Sequence, residues 1–561
     1  GLPVKIVLIY PRSISPRIHW EDVQVVPMGL YTIGAVLKEA GHEVAIWNGY
    51  ALGEQPGGIE AALERERPEM VGISIVNANR REGVAVAAMA KRLNPAVVTV
   101  LGGVGATFLW RHLLNHFEDV DFVVRGEGEV VLPALIRSIE ADDRPGLMNI
   151  KGLAYRNHGN IQDSGEPDPL PQLDSLPDPA QYFTFQHLAL SRGCPENCAF
   201  CGSPRFWHRR VRFHSADYFV TQIRRLHARG VRFFYVSDDT FTLRRPFVLA
   251  VCRKMADLQL DITWNAICRV DSVDAELLYW MRRAGCIQIS YGVESGSAEI
   301  RGRLNKRMDP DQAAEAFRLT VAHGIMARAY FIYGSPGETW ETIGETVALM
   351  DRLKPLAAIF YMLDIFPGTQ LYEAYIKRSG RSDDIWLQPM EGIAYFETDP
   401  DLDHATVSAF GDRLRKTFYR HLPSYTEAIE LADAPELNEL QADFLSRLAM
   451  TFDHGDYAGI ADIDRNEACA ESLYRRSLQC HDNTRAYLGL GIARQKAGDY
   501  SDSIRILTRG LERFPDEVQL AICLAVSLMN VGDYSGALNR LSRFAQDQTV
   551  AEMMARCRKA M

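Results

Sequence analysis

Three cysteines, Cys194, Cys198 and Cys201, stand in the stretch SRGCPENCAFCGS at residues 191–203. Their spacing is Cys-x3-Cys-x2-Cys. On one short loop, thiolates so placed can converge on three corners of a cubic iron–sulfur cluster, since soft thiolate suits iron. A cube of four irons held by three thiolates leaves one iron without a protein ligand, open to a small chelating molecule. A zinc loop is the competing reading. Structural zinc closes on four ligands, and no fourth Cys or His stands at a suitable local spacing; His187 and His208 are near in sequence only. Cys252, Cys268 and Cys286 read as small core residues. Cys469, Cys480, Cys523 and Cys557 are too scattered for a second cluster.

A chain of 561 residues is too long for one core, so three or four domains are expected. No apolar run reaches the length of a membrane span. The start, GLPVKIVLIYPR, is too short and strand-like for a secretory signal. A net charge of −10 argues against a nucleic-acid surface. Ten cysteines without a regular framework suit a reducing cytosol. The expectation is a cytoplasmic protein with neither membrane nor nucleic-acid partner.

Elements that could position the cysteines follow from periodicity. Apolar runs at 4–10, 43–48, 70–76, 96–101 and 121–125 alternate with helical stretches such as 28–40 and 82–93. This pattern predicts a doubly wound parallel sheet, whose ligands bind beyond the carboxyl ends of the strands. Pro11, Ser74, Asn77 and the pair Gly102–Gly103 fall there. No Gly-x-Gly-x-x-Gly lies between the first run and its helix, which argues against a dinucleotide. Residues 157–182 are rich in Pro, Asp and Gly and read as a linker. Six further apolar runs, at 187–193, 231–237, 261–268, 287–293, 327–334 and 357–366, predict a partial (β/α)6 barrel. Asp238 and Asp239, Arg269, Glu294, and Gly334 to Glu338 stand at successive strand ends, where barrels do their chemistry. After about 375 the pattern turns helical. GDY recurs at 455–457, 498–500 and 532–534, and the last two copies have the 34-residue period of tetratricopeptide repeats. The fold class expected is α/β: a Rossmann-type domain at 1–156, a linker at 157–182, a barrel at 183–400 and an all-α, tetratricopeptide-like domain at 401–561.

The cysteine stretch, with Phe200 just before the third Cys, resembles the signature of the radical S-adenosylmethionine (SAM) superfamily. That resemblance implies a 4Fe-4S cluster on Cys194, Cys198 and Cys201 whose open iron binds the amino and carboxylate groups of SAM. An electron from the cluster then splits SAM to methionine and a 5'-deoxyadenosyl radical. It also implies that the segment with Asp238 and Asp239 contacts the SAM amino group. Glu294 in GVESG would meet the ribose or methionyl part, and Gly334, Gly337 and Glu338 in FIYGSPGET the adenine. FPGTQLY at 366–372 is a further mark.

The segments VPMGLYTIGAVLKEAGHEV, PEMVGIS, VVTVLGGVGAT and DFVVRGEGE look like the cobalamin-binding domain found before many radical SAM barrels. Carried over, Pro11–Arg12, Ser74 to Arg81 (with Asn77 and Arg80) and Gly102 to Thr107 (with Gly103) would hold the corrin and its nucleotide tail. RGEGE at 125–129 would mark the far side of the sheet. No Asp-x-His-x-x-Gly occurs, so no His below cobalt is implied, and Asn77, Asn79, Arg80 or Arg81 would line the lower face.

Together the resemblances imply a cobalamin-dependent radical SAM methyltransferase moving a methyl from SAM via methylcobalamin to a carbon of a small molecule. A flavodoxin or ferredoxin type of electron donor is implied, and the helical repeats could hold a protein partner. Alternatives are a non-radical tryptophan-type methylase, a cobalamin-dependent cyclase or rearranging enzyme, a methylthiotransferase, and an interaction scaffold with an inactive barrel. Methylthiotransferases carry extra N-terminal cysteines, whereas the first Cys here is Cys194.

Overall fold

The computed structural model of the chain describes residues 3–13, 24–55 and 57–561. Strands β1 (Lys5–Tyr10), β2 (Glu43–Asn48), β3 (Met70–Ser74), β4 (Val98–Gly102), β5 (Phe122–Val124), β6 (Leu153–Asn157) and β7 (Asn160–Asp163) form one sheet in the order 2-1-3-4-5-6-7. β1 to β5 are parallel, and β6 and β7 are antiparallel additions. Alternation along β1 sends Ile6 and Leu8 into a core with Val100, Leu132 and Leu153 on one face. Val7 and Ile9 join Val71, Ile73 and Leu109 on the other. Both faces are covered, which is why these strands read as unbroken apolar runs. The order reverses at β1 and β3, so a crevice opens beyond their carboxyl ends.

The stretch read as a linker is structured at its start. β6 and β7 form a hairpin with Asn157 paired to Asn160. The two residues between them, His158 and Gly159, have φ of +49° and +82°, the left-handed pair that a tight hairpin requires. Residues 164–182 run on against the protein: Leu170, Leu173 and Leu176 cluster with Val36, and Asp178 binds Gln222 and Arg225. The Pro and Asp residues here set turns and caps rather than a free tether.

The second sheet holds β8 (His187–Leu188), β11 (Phe233–Val236), β12 (Thr263–Cys268), β13 (Cys286–Glu294), β14 (Met326–Tyr333) and β15 (Ala357–Met362), all parallel and in sequence order. Short pairs add to it: β9 (Ser191–Arg192) with β10 (Arg212–Phe213), and β16 (Asp364–Ile365) with β17 (Ile393–Ala394). The helix His404–Glu427 packs on β15 and on the helix Trp340–Leu353, so it covers the sheet's edge rather than opening a separate tail.

Beyond it, helices from Asn438 to Ala560 pack each on the next. The recurring GDY has a local cause. Gly498 and Gly532 take φ of +74° and +84° just past a helix end, and Asp499 and Asp533 cap the next helix through the backbone amides of Asp502 and Gly536. The helices dock on the barrel through Arg282 to Asp443 (2.8 Å) and Tyr457 Oη to the Leu356 carbonyl (2.7 Å). One buried core runs from the first sheet through the barrel into these helices. Among the described residues no helix is long and apolar enough to cross a membrane.

Candidate functional site

The cysteine loop leaves β9 through Gly193, whose φ is +104°. A Cβ there would lie 2.0 Å from the Arg210 carbonyl oxygen, so only glycine can enter the loop this way. The loop is pinned from three sides. Ala199 N donates to the Leu304 carbonyl (2.9 Å), and the Ala199 carbonyl accepts from Leu371 N (3.1 Å). Asn305 Nδ2 donates to the Asn197 carbonyl (2.6 Å), and Gln370 Nε2 to Asn197 Oδ1 (2.8 Å). Arg269 pairs with Glu196 (3.0 Å) and Asp271 (2.6 Å). The segment FPGTQLY is thus a support for the loop.

All three cysteines are free and half-buried. Burial pushes each thiol up, that of Cys201 to about 12. Their sulfurs do not all lie within 4.8 Å of one another. A single zinc ion would need a tighter set, with bonds of about 2.3 Å. As ligands they must be thiolates, so loading releases protons.

Glu294, at the end of β13, has φ +66°, strained for a residue with a side chain. The register of β13 on β14 slips between Gly292 and Glu294, and such a bulge re-aims the side chain. Glu294 pairs with Lys306 at 3.0 Å. Burial would pull the Lys306 ammonium down, but Glu294 and the Cys198 thiol outweigh it and hold it above its ordinary value. This places Glu294 beside the cysteine loop. Asp239 also joins it: Ser203 Oγ donates to Asp239 (2.8 Å), and burial raises the carboxyl.

Other expected SAM contacts turn elsewhere. Asp238 accepts from Leu190 N, Ser191 N and Ser191 Oγ at 2.5 to 2.9 Å. It is fully buried, and burial raises it to about 7. Glu338 likewise accepts from the amides of Gly334 and Ser335, and burial raises it to about 7. Both carboxyls close backbone turns, Asp238 holding the strand that leads to the cysteines. Gly334 (φ +77°) and Gly337 (φ +71°) shape the second turn, and Gly337 lies against Arg303. Phe200 is half-buried against the main core.

A cavity of ≈ 360 Å³ opens between the two sheets. Ser74, Val76, Gly102, Gly103 and Gly126 line it from the first sheet, and Ala189, Arg192, Gly193, Trp207 and Asp239 from the barrel. Gly102 and Gly103 differ in kind. Gly103 has φ +89°, and a Cβ would lie 2.8 Å from the Ile75 carbonyl oxygen and 2.9 Å from Ser74 Oγ. Gly102 is extended, with its nearest neighbour at 3.8 Å. We predict that Gly103→Ala lowers stability by about 1–2 kcal/mol from the left-handed backbone alone and reduces retention of a cavity ligand, while Gly102→Ala changes neither. Thermal unfolding and bound-cobalamin absorbance on both variants check this; equal behaviour of the two would contradict it.

Pro11, Arg12, Asn77 and Arg80 do not line this cavity. Pro11 is buried beside Gly49, and Arg12 lies along Gly53. Asn79 is spent on Val76 N and the Pro11 carbonyl. Asn77 donates to the Glu391 carbonyl (3.2 Å). Arg80 donates to the carbonyls of Met390 (2.5 Å) and Trp386 (3.3 Å), with its guanidinium 4.4 Å from the Trp386 ring centre. These residues fasten the 386–391 segment to the first sheet.

RGEGE is also placed differently from the expectation. Rather than marking a far face, it grips the cysteine loop. Arg192 reaches Glu127 and Glu129, both at 2.7 Å, and Arg212 reaches Glu127 at 2.7 Å. Burial alone would raise Glu127, but Arg212 and Arg192 outweigh it and hold the carboxyl below the usual range. The sequence signals were a charged Gly-rich turn and an Arg two residues before Cys194; neither indicates the other as partner. His214, which also borders the cavity, is held by Asp174 (3.0 Å), and burial lowers it to about 4, so it is neutral.

Comparison with known proteins places this geometry. Residues 22–136 match the B12 binding domain family and residues 188–350 the radical SAM superfamily. The chain is 29% identical over 430 residues to an uncharacterized methyltransferase of Pyrococcus horikoshii, covering 74% of this chain and 92% of that one. It is 30% identical over 397 residues to the anaerobic magnesium-protoporphyrin IX monomethyl ester cyclase of Cereibacter sphaeroides, covering 66% and 63%. In fold it is similar to the radical SAM methyltransferase TsrM from Kitasatospora setae, solved with cobalamin and a 4Fe-4S cluster. The TM-score is 0.59 at 16% identity, over 85% of this chain and 99% of that one. The chain thus joins a B12 binding domain to a radical SAM domain across a shared cavity, and its cofactors are cobalamin, SAM and a 4Fe-4S cluster.

Proposed function

We propose that this enzyme transfers a methyl group from SAM, by way of cobalamin, to a carbon atom of a small-molecule substrate. The observation that carries the reading is a cavity lined from both domains. Ser74, Gly102 and Gly103 open onto it from the cobalamin-type sheet, and Gly193 and Asp239 from beside the cysteine loop. Two cofactors bound at strand ends of facing domains would share this space with a substrate. The name of the P. horikoshii relative agrees.

In this reading Cys194, Cys198 and Cys201 hold the cluster, and Asp239 and Glu294, the acidic groups beside the loop, orient SAM. Gly103 lets the backbone approach the cobalamin tail closely. When bound, the cluster supplies an electron for SAM cleavage, and cobalamin supplies a carrier for the methyl group. The chain's own part is to hold both against one cavity whose walls are mainly apolar. His214 on its wall is neutral, while Asp239 and the paired Arg192, Glu127 and Glu129 bring charge to its border. An external one-electron donor would complete the system.

The test is one anaerobic assay with three products counted. Radical methylation predicts one S-adenosylhomocysteine and one 5'-deoxyadenosine for each methylated product. A methyl leaving SAM leaves the first behind, and hydrogen removal from carbon leaves the second. Methylation without 5'-deoxyadenosine would assign a polar methyl transfer. With substrate turned over, 5'-deoxyadenosine and no methylated product would assign the ring-forming chemistry named for the C. sphaeroides relative.

A further inference from the structure

The helix Gly103–His116 carries His112 and His116 one turn apart, hence on one face. Asp384, from the short turn Asp383–Leu387 of the barrel domain, reaches across to them. Asp384 Oδ1 lies 2.8 Å from His116 Nε2 and 3.8 Å from His112 Nδ1. Among the described residues, these three form the one set of His, Cys, Asp and Glu whose donor atoms all lie within 4.8 Å of one another. Ligands of tetrahedral zinc, with bonds of about 2.0–2.1 Å, stand roughly 3.3 Å apart, and the two observed spacings straddle that value.

A second observation points to a ligand. The His112 side chain is only 2% exposed, and its Nδ1, aimed at Asp384, has no hydrogen-bond partner. A buried ring nitrogen left so is costly unless something binds it. Arg80, the nearby cation, is directed at the carbonyls of Trp386 and Met390 instead.

We propose that His112, His116 and Asp384 form a site for a divalent transition metal ion, zinc by the character of its donors, with a further position open to water. The site stands apart from the cysteine loop and from the cavity between the sheets. Its ligands come from both domains, so the ion would bolt the helix that begins at Gly103 to the segment already fastened by Arg80.

Zinc titration of the full chain loaded with its cluster tests this, using a chelator-buffered series with zinc and iron counted on the same samples. We expect one zinc per chain with iron unchanged, and a thermal midpoint that rises with free zinc. Because His112 is buried, the variants are H116N and D384N at the exposed side. Each should weaken zinc binding by at least about 100-fold, the upper end of what loss of a mere supporting contact costs, and abolish the thermal shift. No stoichiometric zinc in the wild type, zinc that displaces iron, or equal binding in both variants would overturn the site.

Discussion

Replacing Cys194, Cys198 and Cys201 together with alanine is expected to remove the visible absorption of the cluster and every product of SAM cleavage. The loop around them should survive. Its hydrogen bonds run through Ala199, Asn197 and Glu196 to Leu304, Leu371, Asn305, Gln370 and Arg269, none of which needs a thiol. The thiols are only half-buried, so their loss should cost little. Iron content, absorption and circular dichroism on one preparation measure the effect. Retention of near-normal iron in a folded triple variant would place the cluster elsewhere. Without the cluster no electron reaches SAM, so the loss of cleavage should be complete rather than graded.

The second large effect should come from Arg192. Its two terminal nitrogens serve two buried carboxylates, and the three side chains are 13%, 8% and 3% exposed. Arg192→Ala leaves Glu129 without its ion-pair partner, while Glu127 keeps Arg212. Removing one member of such a buried set typically costs about 3–5 kcal/mol, because the charge left behind stays buried. Arg192→Lys should fall between, as an ammonium cannot span both carboxylates as the planar fork does. Arg192 lies two residues before Cys194 and its partners lie on the cobalamin-type domain, so we also predict lower cluster and cobalamin content in the folded fraction. Denaturant unfolding with cofactor counts reads both effects. A variant within about 1 kcal/mol of wild type and fully loaded would show that the clamp does not position the loop.

The features that the sequence by itself determined have local causes. The cysteine spacing, Gly193 before it, the apolar runs of two buried-strand sheets and the Gly-Asp pairs that end one helix and cap the next all depend on periodicity, chirality and hydrogen bonds within a few residues. The tertiary structure decided which polar groups face a ligand and which face the protein. Asp238 and Asp239 are adjacent, yet one closes backbone amides and the other borders the cavity. A carboxylate at a strand end can do either, and only the position of the next segment chooses. Glu129 and Arg192 are 63 residues apart, His116 and Asp384 are 268 apart, and Arg80 finds its acceptors on a segment far along the chain. Such pairings are fixed by where two domains share a core, because an unpaired charge or ring nitrogen buried there takes whatever partner the packing brings within reach.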